Sequence, residues 1–165
     1  MQEDHHLNGS WTIAEVPDSF IQIMKHLGYS GMERKYFKKS KMTVYSTILD
    51  DNKLEIKLDS PFYKTSKEYS LNNTPIEYED DNKNSIMEIS RWINDKTVEV
   101  KTFYLDKNLT VVDTREITSD GHCIHKVSLI TCEDPEPIEA EMLYKKKEKL
   151  TPMSTIQQQL DDDQD

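Results

Sequence analysis

At 165 residues the chain is long enough for one domain with a real core, and a formal charge of −10 argues against a nucleic-acid partner or general adhesion to anionic membrane. Two cysteines are too few for a disulfide scaffold, and Cys123 and Cys132 would point to opposite faces of one strand, so both are expected as free thiols. The polar opening MQEDHHLNGSW lacks the basic start and apolar run of a secretory signal, and no apolar run of roughly eighteen residues occurs. The expectation is a cytoplasmic protein.

In chain order, residues 1–8 read as a flexible, polar N-terminus, and a first strand starts at Gly9 with Trp11 and Ile13 on one face. In PDSFIQIMKHLG, the residues Phe20, Ile23, Met24 and Leu27 fall at i, i+3, i+4 and i+7, one face of a helix. Pro17 suits the first helical position and Gly28 a left-handed end. Ser30 and Glu33 have capping-box spacing, so a second helix is predicted through MERKYFKK, with Met32 and Tyr36 one turn apart.

From Lys41 onward the period changes to two. KMTVYSTIL puts Met42, Val44, Ser46 and Ile48 on one face, and KLEIKLD alternates without exception, the pattern of a sheet wet on one side. FYKTSKEYSL and PIEYE are weaker strands, followed by SIMEISRWI, TVEVKTFYL, LTVVDTREI, HCIHKVSLITC and IEAEMLYKKK. The links, such as Asn94-Asp95-Lys96 and Asp106-Lys107-Asn108, are too short for crossover helices, so neighbouring strands run antiparallel. About ten strands at such spacing indicate a sandwich or an up-and-down barrel. The barrel domain is placed at 9–149, and LTPMSTIQQQLDDDQD, 150–165, reads as an acidic, disordered tail.

Several local patterns, in order, resemble the intracellular lipid-binding protein family, the fatty-acid-binding and cellular retinoid-binding proteins of the calycin superfamily. They are GSW opening the first strand, FIQIMKHLGYSGMERK as a two-helix lid, SPFYKTSKEYSL as a portal strand, TREI on the eighth strand and Tyr144 on the last. The resemblance covers residues 9 to 147 and implies a mainly β, lipocalin-like fold: a ten-stranded antiparallel up-and-down β-barrel, or β-clam, capped by a helix-turn-helix lid around a cavity for one lipid. The family's last strand carries R-x-Y, whereas this chain has Met142-Leu143-Tyr144, so the tyrosine matches and the arginine is absent.

The resemblance puts Arg115, with Leu109, Val111, Asp113 and Ile117, on the cavity face of the eighth strand. A buried guanidinium needs a counter-charge. Asp113 lies about 7 Å away at strand rise, and a ligand carboxylate held together with Tyr144 is the other candidate. An outward-facing, exposed pair is the third possibility. Parity on the last strand makes Met142 inward and apolar beside Tyr144. Arg91 is a candidate second cation, the alternative being an outward Arg91 with Trp92 inward. By the same resemblance Phe62, Met32 and Tyr36 belong to the portal, and Arg34, Lys35, Lys38 and Lys39 form a basic helix surface for transient contact with anionic membranes.

His122, Cys123, His125 and Cys132 divide between two strand faces and make no single tetrahedral site, and no phosphate loop or hydrolase motif occurs. The expected function is therefore a non-enzymatic, monomeric carrier, without cofactor or metal, for one long-chain fatty acid or other small hydrophobic ligand. The alternative is a protein-interaction barrel whose interior is filled by side chains such as Met142, Tyr104 and Trp92.

Overall fold

A computed structural model describes residues 5–61 and 63–147. The tail at 150–165 and the expected portal residue Phe62 lie outside the described residues. The elements run β1 (Gly9–Ile13), α1 (Asp18–His26), α2 (Gly31–Lys39), β2 (Thr43–Asp50), β3 (Lys53–Asp59), β4 (Lys64–Ser70), β5 (Ile76–Glu79), β6 (Ser85–Asn94), β7 (Thr97–Tyr104), β8 (Leu109–Ile117), β9 (Cys123–Thr131) and β10 (Ile138–Lys146).

All ten strands form one antiparallel sheet in the order β4-β3-β2-β1-β10-β9-β8-β7-β6-β5. Short turns make sequence neighbours into sheet neighbours, and β1 joins the two halves by pairing Trp11 with Val44 on one side and Lys146 on the other. The sheet curls into a barrel, with β4 and β5 as its two free edges. Between the banks of this seam a single isolated bridge, Asn72 to Arg91, is made. The seam is otherwise tied by side chains. Lys67 of β4 donates to Tyr78 Oη of β5 at 2.6 Å and meets Glu88 of β6 at 2.5 Å, while Tyr78 donates to Glu88 at 2.8 Å.

The core follows the alternation. Val44, Ile48, Leu54, Ile56, Val98, Val111, Val127 and Leu129 are buried on the inner face, each such side chain contributing about 1.5–3 kcal/mol. Leu7, read from sequence as part of a loose segment, is only 1% exposed and joins this core, and Asn8 Oδ1 accepts from Ile48 N–H at 2.6 Å. Burial of one leucine and a side-chain bond to β2 outweigh the polarity of its neighbours.

Over one mouth lie the two helices. Pro17 is the N-cap rather than the first helical residue: its ψ is 156°, and its carbonyl accepts from Phe20 N–H at 3.1 Å. Gly28, at φ 93°, ends α1 in a Schellman arrangement, with Gly28 N–H donating to Lys25 O and Tyr29 N–H to Met24 O, both at 3.1 Å. The expected capping pair forms on α2, where Ser30 Oγ accepts from Glu33 N–H at 3.1 Å. Ile23 and Met24 are buried, and Phe20 stacks on Phe37 with ring centroids 5.6 Å apart, fastening α1 to α2. Lys38 pairs with Asp18 across the two helices.

Candidate binding site

Beneath the helices a cavity of about 580 Å³ opens into the barrel. That lies within the roughly 300–1,000 Å³ of a small-molecule site. Phe20, Ile23, Met24 and Leu27 of α1 line it from the lid, Leu58, Val111, Val127 and Met142 supply apolar wall, and Lys67, Tyr69, Asp113, Arg115, His125 and Tyr144 add a polar cluster on the barrel strands.

Strand register assembles that polar side. Arg115 of β8 and Met142 of β10 stand directly opposite His125 of β9, while Asp113 pairs with Val127 and Tyr144 with Cys123. Asp113 and Tyr144 are thus the diagonal neighbours of His125, within reach of a long side chain. The contacts follow. His125 Nε2 lies 2.8 Å from Asp113 Oδ1, and His125 Nδ1 lies 2.6 Å from Tyr144 Oη. His125 is 5% exposed and Tyr144 3%.

Arg115 faces inward, as the resemblance implied, but Asp113 spends its carboxylate on His125. Among the described residues no carboxylate forms an ion pair with Arg115, and its Nε is buried without a hydrogen-bond partner. Burial opposes its charge, yet Tyr144, Tyr69 and Asp113 outweigh that and raise its pKa. Burial would raise Asp113 too, but the His125 hydrogen bond and the charges of His125, Arg115 and Lys67 hold it below the ordinary carboxylate range. Burial and then the Arg115 charge push His125 below 6.5 despite Asp113. Burial pushes the Cys123 thiol up to about 11, so it stays a protonated, unreactive wall group.

These shifts set an acid limit on stability. An unfolded histidine protonates near 6.5, whereas folded His125 resists until lower pH. As pH falls through that window the unfolded chain binds the extra proton, and stability drops by about 1.4 kcal/mol per unit. Asp113, also depressed when folded, adds a further loss below its unfolded value of 3.8. Urea midpoints of the ligand-free protein are expected to fall from about pH 6.5 downward, in two stages, and His125→Gln is expected to remove the first.

Arg91 is not the second cation: of its two readings the structure shows the outward one, with Nε meeting Glu99 Oε1 at 3.0 Å away from the cavity lining. The inner face of β6 carries Ile86, Glu88, Ser90 and partly buried Trp92 instead. Glu88, 4% exposed, is tolerated there because Lys67 and Tyr78 hold it. Of the expected portal residues, Met32 is 82% exposed and stands clear of the cavity, and Tyr36 bonds Ser60 Oγ at 2.9 Å. Arg34 Nη1 donates to Tyr29 O at 2.6 Å, while Lys35 and Lys39 are exposed.

No protein-family model and no curated protein matches the sequence. The architecture matches solved structures well. Echinococcus granulosus fatty-acid-binding protein 1 aligns at TM-score 0.68 and 17% identity over 87% of this chain and 98% of that one. Caenorhabditis elegans lipid binding protein 8, in its apo form, aligns at TM-score 0.71 and 14% identity over 89% and 99%. Schistosoma mansoni fatty acid binding protein, solved with arachidonic acid, aligns at 0.65 and 19% over 87% and 97%. The fold is that of the fatty-acid-binding proteins.

Within this barrel Met142, which stands where the R-x-Y pattern has its arginine, is 1% exposed and apolar. The tyrosine is engaged by His125. In the sequence His125 is marked only by its place in the His/Cys run, and Lys67, Tyr69 and Glu88 carry no signal. Strand parity puts Cys123 and His125 on one face, and a β8–β9 turn centred on Asp120 sets His125 opposite Arg115. Among the described residues no helix is long and apolar enough to cross a membrane.

Proposed function

We propose that this chain is a non-enzymatic, cytoplasmic carrier that holds one long-chain fatty acid or similar amphipathic lipid inside the barrel, tail along the apolar wall and head group on Arg115. One observation carries this reading. A cavity of about 580 Å³, lined largely by apolar side chains, contains an inward arginine that no carboxylate of the described residues neutralises by an ion pair. Burying roughly sixteen methylenes at about 0.8 kcal/mol each gives on the order of 12 kcal/mol gross, part of it lost to immobilisation. The head group then sets orientation and selectivity more than affinity.

Loading and unloading through the lid fits the surface of α2, where Met32, Lys35 and Lys39 are exposed along one side of the helix. An apolar side chain with lysines one and two turns along the same helix side suits brief contact with anionic lipid. The open volume weighs against an interaction module with a filled interior. The test is titration of the delipidated protein with a fluorescent fatty acid and with retinoids. Saturable binding of one ligand per chain, displaced by unlabelled fatty acid, is expected, and absence of saturable binding for both classes overturns the carrier reading.

A further inference from the structure

Resting on the carrier reading, we infer that His125 and Tyr144 form a proton-coupled head-group selector. With His125 neutral the lumen takes an uncharged oxygen head group, such as an alcohol, ketone or ester, and it takes a carboxylate only with uptake of one proton at His125 Nδ1.

The inference follows from where each hydrogen must be. An ionised Asp113 can only accept, so the 2.8 Å contact is His125 Nε2–H donating to Asp113 Oδ1. In a neutral imidazole the other nitrogen has no hydrogen, so in the 2.6 Å contact the Tyr144 hydroxyl donates to Nδ1. The tyrosine has then spent its only hydrogen, and toward the cavity it offers a lone pair. Of the Asp113–Arg115–His125–Tyr144 cluster, Arg115 is the member left to donate to a ligand in the same cavity.

Net charge gives the same answer. Asp113, though it bonds His125 and forms no ion pair with Arg115, offsets the arginine in the sum over the cluster, and Lys67 is paired with Glu88 at 2.5 Å. The remaining groups facing His125 are Cys123 on its own strand, Tyr144 on β10 and Tyr69 on β4, all with raised pKa values and uncharged at neutral pH. An incoming alcohol leaves the balance untouched. An incoming carboxylate adds one uncompensated negative charge inside the barrel, which is costly in a low-dielectric interior.

A proton from solvent added at Nδ1 removes that charge. The new Nδ1–H donates to Tyr144 Oη, the bond between them reverses, and the freed tyrosine hydrogen turns to a carboxylate oxygen. The carboxylate is then held by Arg115 and Tyr144 together, with His125 as imidazolium between Asp113 and Tyr144. One proton is bound and no covalent bond of the ligand changes.

The experiment is calorimetric titration of the delipidated 165-residue chain with dodecanoate and with 1-dodecanol, at neutral pH, in two buffers of different ionisation enthalpy. About one proton taken up per dodecanoate and about none per dodecanol is expected, with dodecanoate affinity falling about tenfold per pH unit above neutrality. His125→Gln, which cannot gain a proton, is expected to abolish both the uptake and the pH slope. Dodecanoate that saturates the protein with no proton uptake overturns the selector and leaves the carrier standing. No saturable binding of either ligand overturns both. An NMR shift of the His125 ring resonances to the imidazolium on loading wild-type protein locates the proton at His125 even if the variant misfolds, and unchanged ring resonances with one proton taken up overturn the selector.

Discussion

Replacing Arg115 with methionine is expected to weaken fatty-acid binding by about tenfold to a hundredfold, the worth of a charge-assisted hydrogen bond at about 1.5–3 kcal/mol. The matching alcohol, held by a neutral contact, should lose less. Methionine approximates the length of the arginine stem, so the apolar wall is kept and the difference isolates the guanidinium. Equal losses for acid and alcohol would remove Arg115 from the head-group site. The same change leaves Asp113 inside the barrel without its nearby cation. Breaking a buried charge arrangement costs up to about 3–5 kcal/mol. His125 limits that cost here, because Arg115 is one of the groups that keep it neutral. In Arg115→Met the imidazole should titrate at higher pH, visible by NMR as a shift of the His125 ring resonances, and adding Asp113→Asn should recover part of the lost stability.

The barrel was legible because alternation is a direct consequence of the pleat. In β2 and β3 the buried positions are those that alternation marks, and the caps at Gly28 and Ser30 mark turns that chemistry dictates locally. Alternation separates two faces without naming the inner one, and β6 is where that mattered. Met87, Ile89 and Ile93 made one face look the more apolar, yet that face is turned outward and Ile93 is 44% exposed. What reverses the choice is remote: Glu88 can go inside because Lys67 and Tyr78 meet it across the seam. The Asp113–His125–Tyr144 chain was hidden in the same way. Its members are 12 and 19 residues apart, and a shift of one residue in the β8–β9 register would have scattered them.

Trp11→Ala is expected to cost about 3–5 kcal/mol, a large part of the roughly 5–15 kcal/mol that holds a domain of this size together. Trp11 is 2% exposed, on the strand that joins the two halves of the sheet, and its Nε1 donates to Gly121 O at 2.9 Å, tying β1 to the β8–β9 turn. The chain makes room for the ring: a Cβ on Gly9 would stand 3.1 Å from Trp11 Cη2. Alanine therefore loses apolar burial, leaves a cavity beside a glycine that cannot fill it, and strands the Gly121 carbonyl. Trp11→Phe, which keeps most of the packing and drops the hydrogen bond, should cost distinctly less. The urea midpoint should fall with the m-value unchanged, since the same surface is exposed on unfolding. Trp11 does not line the ligand cavity, so where the variant is folded its affinity for fatty acid should match the wild type. Arg115 thus moves binding and stability together and Trp11 moves stability alone. A loss of affinity in fully folded Trp11→Ala would mean that the lumen depends on this distant tie, and that the lining residues do not by themselves fix the site.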